Sequence, residues 1–210
     1  MGDGPYFFIH AVNLNRALAN RKHCRSMSSS SKSLLALGFI TVRHHTEHGY
    51  FGGYLIVNQL ARPLEFHCTL PVKPSRAQSL LYGQTLDDFI CGEQIAKALV
   101  AKAKLKPTLL LTNCEAVLAF EHVGDEPILL IQCSEESDSS PYLRKPSSSL
   151  MQLKAVQSAG ISFKTTNSSR TSVSLVDDVV SKLAPNFDLS EPFQRIAEAL
   201  LEAHPIVKAA

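Results

Sequence analysis

The sequence predicts an α/β (or α+β) domain: a mixed sheet that begins with three antiparallel strands, passes through a βαβ crossover and ends in helices packed against it. Three observations carry this. Short apolar runs bounded by glycine and proline occupy residues 34–42, 52–57 and 64–70. A helical stretch with start and stop signals, residues 86–104, then leads into a short apolar run at 108–112. Two amphipathic stripes with helical spacing close the chain.

Bulk properties bound the answer. A chain of 210 residues, 45% hydrophobic, can bury one good core. A net charge of +2 does not indicate nucleic acid, because a DNA or RNA binder carries a strong basic surplus or stripe. No apolar run reaches about 18 residues, so no membrane partner is expected. The cysteines (Cys24, Cys68, Cys91, Cys114 and Cys133) are odd in number and form no C-x-x-C pair. That pattern fits reduced thiols in a cytoplasmic setting better than a disulfide framework. Between Gly4 and Ser33 lie Arg16, Arg21, Lys22, Arg25 and Lys32, no acid, and the run Ser28–Ser31. This composition reads as a disordered extension or a true start at Met27, with a cytoplasmic chain; the alternative is a transit peptide, which would place the chain in an organelle matrix. In each case residues 1–33 fall outside the fold, which is expected to be one domain over 34–205.

In chain order, residues 34–42 read as the first strand. A polar turn at 44–49 leads to the second, 52–57, apolar on both faces and so interior to a sheet. The third strand alternates: Leu64, Phe66, Cys68 and Leu70 point one way, Glu65, His67 and Thr69 the other. Ser75 with Gln78 forms a capping box for a short helix that stops at Gly83. Thr85 is the expected cap of the long helix, with Asp87 and Asp88 favouring its dipole, and Pro107 follows it. Residues 108–112 read as a buried strand, parallel to an earlier one through a right-handed crossover. A short helix at 115–120 and a strand at 128–132 come next. Residues 134–149, rich in Ser, Glu, Asp and Pro, read as a mobile loop. A hairpin over 150–156 and 161–165 and two helices ending near Pro185 and Pro205 complete the domain.

The order of these elements is similar to that of the ribonuclease H-like fold over roughly residues 39–132. The stretch RPLEFHCTLPVKPSRAQ, residues 62–78, also resembles an uncharacterised bacterial protein family, a likeness that implies no activity. The ribonuclease H-like resemblance implies a two-metal nuclease centre, with carboxylates from the first strand, the first helix and the end of the fourth strand. The first strand offers Phe39, Ile40, Thr41, Val42 and Arg43, and the fourth ends in Thr112 and Asn113. Neither supplies an acid there. Only Glu93, on the long helix, stands where a ligand is wanted.

Three sets of residues are candidates for chemistry. Glu93 falls on the apolar stripe of Leu86, Phe89, Ile90, Ala96 and Val100, where a lone carboxylate needs a partner such as Arg62, Arg76 or His67. Glu65 and His67 share a strand face roughly 7 Å apart, an acid–base pair in principle and a solvated outer face otherwise. His44, His45 and His48 crowd a turn with Glu47, where His45-x-x-His48 has metal-ligand spacing; a polar turn without metal is the plainer reading. Gly52-Gly53 reads as a β-bulge. No motif indicates a cofactor, and no G-x-S-x-G occurs. The leading expectation is therefore a non-catalytic binding or scaffold protein with a protein partner. The alternative is a metal-dependent hydrolase acting on nucleic acid, built around Glu65, His67 and Glu93.

Overall fold

The structure is a computed structural model and describes residues 9–12, 35–132, 143–148, 151–158, 160–167, 169 and 171–204. The first three expected strands form as β2 (Ala36–His45), β3 (Gly49–Asn58) and β4 (Pro63–Thr69), antiparallel in sequence. Gly49, at φ 87°, lets the chain reverse between β2 and β3. After the crossover, β5 (Leu109–Thr112) lies parallel to β2, with Leu37 opposite Leu109, and β6 (Ile128–Ile131) lies parallel to β5. The order β4-β3-β2-β5-β6 with these directions is the ribonuclease H-like topology that the element order resembles. The hairpin forms as β8 (Leu153–Ser158) and β9 (Ile161–Thr166), with β9 antiparallel to β6. A two-residue strand, β7 (Leu143–Arg144), pairs with the end of β2. Of the loop expected at 134–149, residues 143–148 are described, and they are seated on the fold rather than free of it.

One strand arises where none was expected. β1 (Ile9–Val12) pairs antiparallel with β4 at the sheet edge, although its residues belong to the stretch read as an extension. Period-2 alternation over four residues gives too little signal to separate such a strand from an unstructured lead.

Both faces of the sheet are covered. On one, Phe39, Leu55, Val57 and Leu111 pack against Val176 and Val179 of α4 (Val173–Val180) and Phe193, Ile196 and Leu200 of α5 (Glu191–Ala203). On the other, Ile40, Val42, Tyr54, Ile56 and Leu110 meet the crossover helix and a 3₁₀ helix (Glu115–His122). Ahead of the crossover helix, α1 (Arg76–Tyr82) carries the expected Ser75–Gln78 capping box and ends at Gly83, at φ 51°. Among the described residues no helix is long and apolar enough to cross a membrane. Cys68, Cys91 and Cys114 are buried and form no disulfide among the described residues; Cys24 and Cys133 lie outside the described residues.

The crossover helix departs from its expected form in two ways. It starts as α2 (Leu86–Asp88), runs through an i→i+5 bonded stretch (Phe89–Ala96) and ends as α3 (Lys97–Lys102). Thr85 does not cap it; its hydroxyl donates to the Tyr82 carbonyl at 2.9 Å. Within the widened stretch Ile90, Cys91, Gly92, Ile95 and Ala96 are buried. A Cβ on Gly92 would stand 2.6 Å from the Phe120 backbone nitrogen, so the helix rests directly on the 3₁₀ segment. The wider turn moves the buried stripe off the spacing of a regular α-helix and leaves Glu93 half-buried on its flank.

Gly52-Gly53 is not a bulge; the register irregularity of β3 falls between Ile56 and Val57. The two glycines open the two faces instead. A Cβ on Gly52 would overlap Ile95 of the crossover helix, and one on Gly53 would overlap Ile196 of α5. Gly53→Ala is therefore expected to cost about 1–3 kcal/mol by overpacking, read as a lower urea midpoint with an unchanged m-value.

Candidate active site

β2 is the strand at which the sheet divides: its chain partner β3 lies on one side and its parallel neighbour β5 on the other. Crevices outside the carboxyl ends of strands at such a switch point are where open α/β sheets place ligands. Here the end of β2 reaches His44 and His45, the end of β5 leads into Asn113 and Cys114, and the amino end of the crossover helix brings Asp87 and Asp88.

Asp87 and Asp88 sit in different surroundings. The Tyr50 hydroxyl donates to Asp87 Oδ1 at 2.5 Å, and Arg144 Nη1 stands 3.6 Å from Oδ2. Arg144 lies directly opposite His44 in the β2–β7 pairing, and the His44 ring lies against Tyr50 with centroids 4.4 Å apart. Asp88 is only 8% exposed. Its Oδ2 accepts from the Ser148 hydroxyl at 3.0 Å, while its Oδ1 has no hydrogen-bond partner among the described residues. The Cys114 thiol donates to the Pro146 carbonyl at 3.3 Å, so residues 144–148 run across this corner of the molecule.

The electrostatics follow from these contacts. Burial pushes the Asp88 carboxyl above the usual carboxylate range, with Asp87 and Glu115 adding to the effect and the Ser148 hydroxyl opposing it. Glu115 is raised by burial against the pull of Lys164. Burial and the Asp87 carboxylate keep Tyr50 a phenol. His44 is lowered by burial and by the Arg144 guanidinium. Burial raises the Cys91 thiol, which hydrogen-bonds Cys114.

The residues singled out from sequence distribute differently. Glu65 and His67 do meet, with His67 Nε2 2.7 Å from Glu65 Oε1. Their face is not solvated: His67 is buried, and both Glu65 oxygens accept backbone N–H groups of Lys104 and Leu105, where the crossover helix has ended. Glu93 is not with them. It precedes Lys104 by eleven residues, roughly 15 Å of helix rise, so the three do not converge in one pocket. His44 and His45 alternate to opposite faces of β2: His44 goes to Tyr50, while His45 faces His48 with ring centroids 4.6 Å apart. His45 Nδ1 accepts the N–H groups of Glu47 and His48 and so tightens the turn instead of offering that lone pair to a metal.

The two-metal set that the topology implies does not fit the residues present. On the face of the crossover helix the paired positions of β2 and β5 are Ile40 and Thr112, and the Thr112 hydroxyl is taken by the Cys114 backbone. On the other face Thr41 donates to Asn113 Oδ1 at 2.7 Å, a neutral pair. No group of three or more His, Cys, Asp or Glu side chains that could hold an ion occurs among the described residues.

No motif points directly to the Tyr50, Asp87, Asp88, Arg144 and Ser148 cluster. Asp87 and Asp88 read there only as dipole partners of a helix start. The one available signal was a double acid opening an otherwise apolar helix, one member of which must face inward.

No family model matches the chain, and no curated protein matches it. Solved structures do. One is the crystal structure of Ciona intestinalis endonuclease V in complex with a 23mer DNA containing an inosine followed by a ribo-adenosine, with a TM-score of 0.48 and 11% identity, covering 85% of this chain and 88% of that one. That neighbour is an endonuclease in complex with DNA, whereas the expectation drawn from missing motifs was a non-catalytic binding or scaffold protein.

The Glu65 contacts make a stability prediction. Burial alone would raise this carboxyl, but the N–H groups of Lys104 and Leu105 and the His67 ring outweigh it and hold Glu65 below its usual value. A depressed carboxyl contributes stability above its unfolded pKa, about 4.3, and loses it as pH falls through the folded value. Glu65→Gln should therefore cost about 1–3 kcal/mol at pH 7. In urea melts the gap to the parent should close as pH falls below about 4.

Proposed function

We propose that the chain is a hydrolase acting on nucleic acid, with its chemistry at the carboxyl ends of β2 and β5. The observation that supports this reading is Asp88: a carboxyl 8% exposed, raised by burial, with one oxygen that no described group meets. Buried polar atoms are nearly always satisfied, and an unsatisfied one calls for an explanation, of which a catalytic role is one. Beside it, the Asp87 carboxylate is held by Tyr50 and approached by Arg144. A carboxyl raised by burial beside a second acid is a basis for assigning a proton donor.

In this reading water attacks phosphorus and forms the new P–O bond as the bond to the leaving nucleoside oxygen breaks. Asp88 gives its proton to that oxygen, and the proton of the attacking water passes to Asp87. Glu65, His67 and Glu93 take no part.

The test is cleavage of fluorescent DNA and RNA oligonucleotides by the full chain. Asp88→Asn is expected to lower the rate by about 10²–10⁴-fold with its thermal midpoint preserved. A group that must be protonated to act loses activity as pH rises through its pKa, so the parent rate should fall on the alkaline side of the raised Asp88 value. Cleavage by Asp88→Asn at the parent rate, or a parent chain that cleaves neither polymer, overturns the reading.

A further inference from the structure

We infer that His204 is an acid-sensitive latch: while neutral it holds the carboxyl end of α5 on the sheet, and on protonation it releases the last turn of that helix. The residue closes α5, its backbone N–H donating to the Leu200 carbonyl at 3.0 Å. Its ring is only 7% exposed and lies against Phe51 of β3, with centroids 4.9 Å apart. The ring also hydrogen-bonds the Thr69 backbone at the end of β4, and Nε2 has no hydrogen-bond partner among the described residues. One imidazole thus ties the end of a helix to two strands. Leu200, one turn earlier, packs with Ile196 over Gly53, so the latch adjoins the contact that seats α5 on the sheet.

The surroundings of the ring give a positive charge no support. β3 and β4 bring Phe51 and Thr69 to it. The titratable side chains next to these contacts are Tyr50, which packs in the layer on the other face, and the buried thiol of Cys68. The acids of the last turns of α5 are Glu198 and Glu202. None of these groups moves the ring from its ordinary value: burial lowers it, against the opposing pull of the Thr69 hydrogen bond. Other histidines have acids beside them, His67 standing 2.7 Å from Glu65 and His44 having Asp87 to set against Arg144. A second proton on His204 would bury a charge and an N–H without an acceptor, a cost that is removed when the ring turns out into water. The helix ends at this residue, so a single turn has to open. A lowered histidine contributes stability above its unfolded value of about 6.5 and loses it as pH falls from there through the folded value.

The experiment is amide hydrogen exchange on the full chain at about pH 8 and about pH 5, corrected for the intrinsic pH dependence of exchange. Amides of residues 200–204 are expected to lose protection by about tenfold at the acid end, while those of α4 and β3 keep theirs. His204→Phe keeps a ring against Phe51 and cannot titrate, so its last turn should be equally protected at both pH values. His204→Gln should likewise show no acid loss, even where its last turn is looser throughout. His44 and Glu65 titrate in all three proteins, so a difference between parent and variants belongs to His204. Unchanged protection of residues 200–204 in the acidified parent overturns the inference, as does an acid loss that persists in either variant or is shared by α4 and β3. Each outcome leaves the hydrolase reading where it stands, because α5 packs on the face of the sheet opposite the crossover helix.

Discussion

Burial of β3 on both faces is the constraint from which the rest of the architecture follows. From Gly49 through Val57 every residue of this strand is buried, so each layer of helix must lie on it directly. At Gly52 and Gly53 two helices approach the same two-residue stretch from opposite sides, one through Ile95 and the other through Ile196. Consecutive residues of a strand point to opposite faces, so adjacent glycines clear both faces at one level. With Ile95 fixed there and Gly92 set on the 3₁₀ backbone, the crossover helix has little freedom to slide or roll. Its first turn is thereby held over the carboxyl end of β2. The position of Asp87 and Asp88 is a packing consequence before it is a chemical one.

A sheet that is apolar on both faces leaves its charged groups for the two ends, and the ends differ in kind. At one, the Glu65 carboxylate is met by the His67 ring and by the N–H groups of Lys104 and Leu105. Every oxygen of that carboxylate has a partner, which is how a buried acid ties a helix end to a strand. At the other, Asp88 keeps one oxygen without a partner among the described residues although it is at least as buried. Satisfaction of both oxygens makes an acid structural; its absence leaves free energy that a bound group can recover. This contrast separates the two carboxyl clusters more sharply than residue type does, since both contain an acid beside a histidine.

The order of strands and the parallel return of β5 were legible because apolar runs, glycines and prolines speak for burial and breaks without reference to distant residues. The capping box at Ser75 was legible for the same reason, since its two bonds span three residues. What escaped depends on contacts far apart in sequence. The i→i+5 stretch is imposed where Gly92 meets Ala119 and Phe120, and local spacing cannot anticipate it. The pair Gly52-Gly53 is locally indistinguishable from a bulge; its meaning comes from Ile95 and Ile196. Glu65 and His67 alternate as a solvated face would, and only the arrival of Lys104 some forty residues later encloses them. The candidate site is the extreme case: Tyr50, Asp88 and Ser148 come from a strand, a helix and a loop, and none carries a motif.

Asp87 and Asp88 show how one helix turn creates chemical difference from identical side chains. Neighbouring residues on a helix point about 100° apart. One aspartate is therefore turned to Tyr50 and Arg144, where a hydroxyl and a guanidinium support its charge. The other is turned into the layer where Cys91 and Cys114 lie, and among the described residues the Ser148 hydroxyl is its hydrogen-bond partner. Enclosure by burial favours the protonated acid, and the Asp88 carboxyl is raised accordingly. Residues 144–148 contribute to both, through Arg144 on one side and Ser148 on the other. A displacement of that short segment would remove the cation from Asp87 and the hydroxyl from Asp88 together, so the two acids are coupled through the strap that covers them.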